Sequence, residues 1–174
     1  ASERYDKIAL YLNGGSNNFT EKTISTNADG ARSVFAADMD GDGDVDVLSA
    51  SPWDNKIALY LNDSSNNFTE EKTISTNANG ARSVFAADVD GDGDMDVLSA
   101  SFNDNKIAAY LNDSSNNFTE EIISTNANVA LSVFAVDVDG DGDVDVLSAS
   151  LNDKKIALYV NDGSNNFTEE TIST

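Results

Sequence analysis

Apolar and polar side chains alternate along Lys7-Ile8-Ala9-Leu10-Tyr11-Leu12-Asn13, with Ile8, Leu10 and Leu12 on one side and Ala9 and Tyr11 on the other. A period of two over so short a run predicts a half-buried β-strand. A turn rich in Gly, Ser and Asn follows, and then a second strand from Phe19 to Thr26. The same pair of segments returns at residues 56–76, 106–125 and 155–174. Between successive pairs lies another pair, Ser33 to Ala37 and Val45 to Ser51 in its first occurrence, joined by an acidic loop. One unit therefore holds four short strands, A, B, C and D in chain order. No window carries helical periodicity with a start and a stop.

The units recur after 50 and then 49 residues, and residues 27–76 match 77–125 at 42 of 50 aligned positions. Repeats of this length with four strands each predict β-propeller blades, one repeat per blade. The expected fold is all-β: residues 1–26 form a half blade, and 27–76, 77–125 and 126–174 form three full blades of one propeller segment. The single-residue difference in period falls in strand D, where Phe68 and Ile74 are six apart and Phe19 and Ile24 five apart. An unabsorbed insertion would turn every later side chain to the wrong face. A β-bulge is therefore expected near Glu70, Glu71 and Lys72.

The A–B loop changes the picture from architecture to chemistry. Asp38, Asp40, Asp42, Asp44 and Asp46 stand at its positions one, three, five, seven and nine; Asp88, Asp90, Asp92, Asp94 and Asp96 repeat them, as do Asp137, Asp139, Asp141, Asp143 and Asp145. Calcium takes six to eight oxygens at about 2.3–2.6 Å, and one such loop supplies most of them, with position seven offering its backbone carbonyl. Glycines at positions four and six allow the tight turn. An acidic surface turn is the alternative, but three copies at identical spacing favour three calcium ions per chain. An EF-hand would place glutamate at position twelve between helices; here that position is Ser49, inside a strand.

These loops resemble the Asp-x-Asp-Gly-Asp-Gly-x-x-Asp element of FG-GAP/VCBS-type repeats, found in integrin alpha subunits and bacterial surface proteins. Val34-Phe35-Ala36 and Ser49-Ala50-Ser51-Pro52 stand loosely where that family often has Phe-Gly and Gly-Ala-Pro. The resemblance implies a propeller with mainly structural calcium in its A–B loops. It also implies a non-enzymatic module for adhesion or for recognition of a protein or carbohydrate, or else a purely structural segment of a larger surface protein or secreted enzyme.

Composition narrows the classes further. The chain has 31 acidic and 10 basic residues, a net charge of −21, and neither histidine nor cysteine. Such a surface repels nucleic acid and anionic membranes, so neither is expected as a partner. Missing histidine removes the usual serine and cysteine hydrolase machinery. Carboxylate pairs can hydrolyse glycosides, yet every aspartate cluster here is repeated three times and suits a metal. Calcium loops fill readily where calcium is abundant, so an extracellular, cell-surface or periplasmic setting is expected. Three and a half blades leave apolar faces at both ends, so self-association, such as a dimer completing a propeller, or contact with neighbouring repeats of a longer chain is expected.

Two further features bear on ligands. The B–C turns vary most between repeats, and Trp53 and Phe102 lie on them beside Arg32 and Arg82 of the D–A connections. These four form a candidate ligand rim at the end opposite the acidic loops, with drift at tolerant turns as the alternative. Asn18, Asn67, Asn117 and Asn166 open Asn-Phe-Thr sequons, which the turns explain without any sugar.

Overall fold

The computed structural model describes residues 1–174, except for the side chains of Thr69 and Glu70. A strand pair, β1 (Ile8–Asn13) and β2 (Phe19–Ser25), is followed by three four-stranded sheets. The first sheet contains β3 (Ser33–Ala37), β4 (Asp46–Ser51), β5 (Lys56–Asn62) and β6 (Phe68–Ser75). The second contains β7 (Ala81–Ala87), β8 (Asp96–Ser101), β9 (Lys106–Asn112) and β10 (Phe118–Ser124). The third contains β11 (Ala130–Val136), β12 (Asp145–Ser150), β13 (Lys155–Asn161) and β14 (Phe167–Ser173). Each sheet is an antiparallel meander in chain order, so the A, B, C and D strands lie side by side. The chain is all-β, with three propeller blades and a half blade. Among the described residues no helix is long and apolar enough to cross a membrane.

The core lies between the sheets, which is why alternation on both faces matters. Ile57 and Leu59 of β5 point into one cluster with Ala86, Val97, Ala108 and Tyr110 of the following blade. Their chain neighbours Ala58 and Tyr60 point the opposite way, to Ile8 of the half blade. The same exchange joins Leu98, Ile107 and Ala109 of the second blade to Val146, Ala157 and Tyr159 of the third. Each fully buried large apolar side chain contributes about 1.5–3 kcal/mol, so a blade draws its stability from its neighbours. The A strands line up innermost, where Phe35, Phe85 and Phe134 stack at centroid distances of 4.5 and 4.6 Å.

The recurring tyrosine reports on this packing. Tyr60 and Tyr159 are buried, with hydroxyls 3.4 and 3.2 Å from Ser49 and Ser148 of their own B strands. Tyr11 is 57% exposed, because the half blade has no B strand and no blade lies beyond it. At the other end Phe134, Ile156 and Ile172 are exposed on the outer face of the third blade.

The extra residue of the first blade is absorbed by a bulge, as expected, but earlier in the strand. The register of β5 and β6 shifts between Leu61 and Asn62, which pair with Glu70 and Phe68. This places the irregularity ahead of Glu71 and Lys72, beside the two residues whose side chains lie outside the described set. A shift at the opposite end is common to every C–D pair, at Ile8/Ala9, Ile57/Ala58, Ile122/Ser124 and Ile156/Ala157, and only β5–β6 has both.

Each complete blade also contains a lysine bridge between its C and D strands. Lys56 lies 2.8 Å from Glu71 and 3.5 Å from Asp54 and donates to the Asn27 carbonyl. Lys106 repeats this with Glu120 and Asp104, and Lys155 with Glu169 and Asp153. Burial, the largest single influence, would lower the Lys56 pKa, but the hydrogen bond to Glu71 and the charges of Glu71 and Asp54 together outweigh it, and the pKa is raised. The lysine therefore stays charged while its stem fills the inter-blade core.

Candidate metal centres

The acidic loops join A strands to B strands, and their backbone is held by the aspartates themselves. The Asp38 carboxylate accepts the Gly41 and Gly43 N–H groups at 2.8 and 2.9 Å. Asp40 accepts from Asp42 at 3.2 Å, and Asp42 accepts from Asp44 at 2.8 Å. The other loops repeat the scheme, Asp88 holding Gly91 and Gly93, and Asp137 holding Gly140 and Gly142. Gly41 and Gly43 have φ of +75° and +91°, with open space where a Cβ would stand. Backbone conformation, not crowding, therefore calls for glycine here.

Position nine serves a second purpose that the spacing does not reveal. Asp96 is fully buried, and its carboxylate accepts the Val89 and Asn112 N–H groups, each at 2.8 Å. Asp46 accepts in the same way from Met39 and Asn62, and Asp145 from Val138 and Asn161. These aspartates tie the start of the loop to the end of the C strand. Burial pushes the Asp96 carboxyl up to about 6, against the pull of its two backbone hydrogen bonds. Burial also raises Asp46, Asp40 and Asp90, with neighbouring aspartates adding to the effect.

Carboxylate oxygens from three aspartates lie within 4.8 Å of one another in every loop. The groups are Asp38, Asp40 and Asp42 in the first loop, Asp88, Asp90 and Asp96 in the second, and Asp137, Asp139 and Asp145 in the third. Positions one and three thus converge throughout, while position five joins only in the first loop and position nine only in the others. The side chains of Asp44, Asp94 and Asp143 belong to none of these groups, and neither do those of Asp46, Asp92 and Asp141. The donor set is all oxygen, negatively charged and partly desolvated, which fits a hard divalent cation.

Sequence reasoning missed the asparagines that link neighbouring loops. The Asn112 side-chain amide donates to the carbonyls of Met39 in the first loop and Met95 in the second, at 3.4 and 3.3 Å. Asn161 likewise spans Val89 and Val144 at 3.0 and 3.2 Å. Both end a C strand, and nothing in their spacing distinguishes them from turn residues.

At the opposite end, the four predicted rim residues come together. Arg32, Trp53, Arg82 and Phe102 line one cavity of about 190 Å³ with Pro52, Gly80 and Asn103, between the first and second blades. The sequon asparagines Asn67, Asn117 and Asn166 have a local role, donating their amides to Asp63, Asp113 and Asp162 of the same turns.

Blades of this build, with an acidic loop between the A and B strands, define a class of repeat propellers. The FG-GAP-like repeat family matches the chain over residues 1–49, 38–99, 88–148 and 137–174, and the chain belongs to that family. The sequence matches no curated protein. Among solved structures it is similar to the V. cholerae biofilm matrix protein Bap1, at 16% identity and a TM-score of 0.40. That likeness covers 94% of this chain and 38% of the other, so the chain spans little more than a third of its length.

Proposed function

We propose that the chain is a calcium-stabilised recognition module of a surface or secreted protein, and that it is not an enzyme. The observation that carries this reading is the threefold recurrence of carboxylates from three aspartates within 4.8 Å, in loops of one design. Calcium at each loop offsets the repulsion among five aspartates and fixes the turn that leads into strand B. The ion is structural, and recognition belongs to the rim at the other end of the blades. Membership of the FG-GAP-like family supports a repeat module of this kind. A purely structural segment is the second reading, favoured by repeats that differ mainly at their turns.

Calorimetric titration of metal-free protein with calcium tests the metal assignment. Three equivalents per chain are expected, with magnesium much weaker because it demands tighter octahedral geometry. No calcium uptake at millimolar concentration would overturn it.

A further inference from the structure

We infer that the cleft between the first and second blades binds an acidic sugar, with a hexuronate carboxylate on Arg82 and the sugar ring against Trp53. This rests on the recognition reading above and names the ligand class for its rim. The two arginines and two aromatic residues of this cleft converge once only. Moving one blade along, Arg82 takes the place of Arg32, Asn103 that of Trp53, Leu131 that of Arg82 and Leu151 that of Phe102. The repeat is thus broken at the positions that line the cavity, while the calcium loops stay constant.

The chemistry of the lining favours a sugar. The Arg82 guanidinium lies over the Phe102 ring, 4.9 Å from its centre, an attractive cation–π placement at the cleft. Among the described residues Arg82 has no carboxylate partner, whereas Arg32 is paired with Glu3. The Trp53 ring packs on Gly30, which has no room for a Cβ beneath it, yet remains 62% exposed. A rigid indole beside a guanidinium matches a ring with apolar C–H faces and one carboxylate. A peptide strand would want free backbone partners, but the Trp53, Phe102 and Asn103 N–H groups already donate to Asp29, Gly80 and Asn79. A cavity of about 190 Å³ takes about one ring and lies below the usual range for larger ligands.

The net charge of −21 does not forbid an anion here. Six-residue B strands separate the rim from the acidic loops by about 20 Å, more than twice the screening length of about 8 Å at physiological salt. Of the rim acids, Glu3, Asp54 and Asp104 are each paired with a cation, whereas Asp6 and Asp29, beside Gly30 and Trp53, have no ion pair among the described residues.

Trp53 is the only tryptophan, so its fluorescence reports on the cleft directly. Calcium-loaded protein is titrated with trigalacturonate, with neutral maltotriose and with triglutamate. Trigalacturonate is expected to change the emission and to bind at least about tenfold more tightly than either control. Arg82→Gln should weaken it about tenfold or more. Trp53→Ala, followed by calorimetry, should abolish binding, and both variants should retain the calcium stoichiometry of the parent. Retained stoichiometry separates a failure of the cleft from a failure of the metal reading. The inference is overturned if trigalacturonate does not bind protein that has taken up its calcium, if triglutamate binds equally well, or if Arg82→Gln leaves binding unchanged.

Discussion

Replacing Asp96 by Asn tests both roles assigned to position nine. In metal-free protein the carboxylate accepts two backbone N–H groups from a site with no solvent exposure. An amide accepts only one of them and turns its NH₂ towards the other. One buried donor is then left unsatisfied, at a cost of about 1–3 kcal/mol. For a chain of this size, 1 kcal/mol shifts the melting temperature by about 2–4 °C, so the lost hydrogen bond by itself lowers Asp96→Asn by about 2–12 °C in chelator, and relief of the buried charge that holds the Asp96 carboxyl at about 6 offsets part of that loss. With calcium present the loss should grow. A site held at 100 times its dissociation constant adds about 2.7 kcal/mol, and Asp96 is one of the three carboxylates that converge in its loop. The gap between parent and variant should therefore widen by about 5–11 °C on going from chelator to calcium. Thermal unfolding followed by circular dichroism in both buffers reads both quantities. An equal gap in the two buffers would refute a metal role for Asp96.

Two further outcomes follow from the repeat. Val129 has φ +63° where Gly30 and Gly80 have +69° and +70°, a conformation unfavourable for a β-branched residue. Val129→Gly should relieve about 1–3 kcal/mol of strain against about 0.4–1 kcal/mol of unfolded-state entropy. It should therefore raise the melting temperature by a few degrees; an unchanged or lower value would count against strain at this position. Exposed Tyr11 and Leu12 at one end, and Phe134, Ile156 and Ile172 at the other, should drive self-association. Light scattering at micromolar concentration should give a mass above the chain mass of 18.5 kDa, and a stable monomer would contradict this.

Much of the fold was legible because both faces of a blade are packed. Ala58 and Tyr60 against Ile57 and Leu59 give a period of two, and the period also says that each face meets a different neighbour. The acidic loops were legible because metal ligation imposes spacing. The bulge at Leu61/Asn62 was legible only as a change of length, so its place in the strand was not. The shift shared by every C–D pair alters no length between repeats and left no trace to compare. Position nine read simply as a ligand, because its hydrogen bonds to Asn62, Asn112 and Asn161 run to the far end of strand C. The buried Lys56–Glu71 bridge was hidden for a like reason: its partners are 15 residues apart and meet only once the sheet has formed.

Removing the metal tests the central claim most directly. Three sites, each at 100 times its dissociation constant, contribute about 8 kcal/mol, comparable with the whole stability of about 5–15 kcal/mol of an ordinary domain. Protein shown to be metal-free and held in excess chelator should be unfolded at room temperature or melt tens of degrees lower than in millimolar calcium, and calcium should restore it. Identical melting curves in chelator and calcium would contradict calcium as the element that holds these blades in shape.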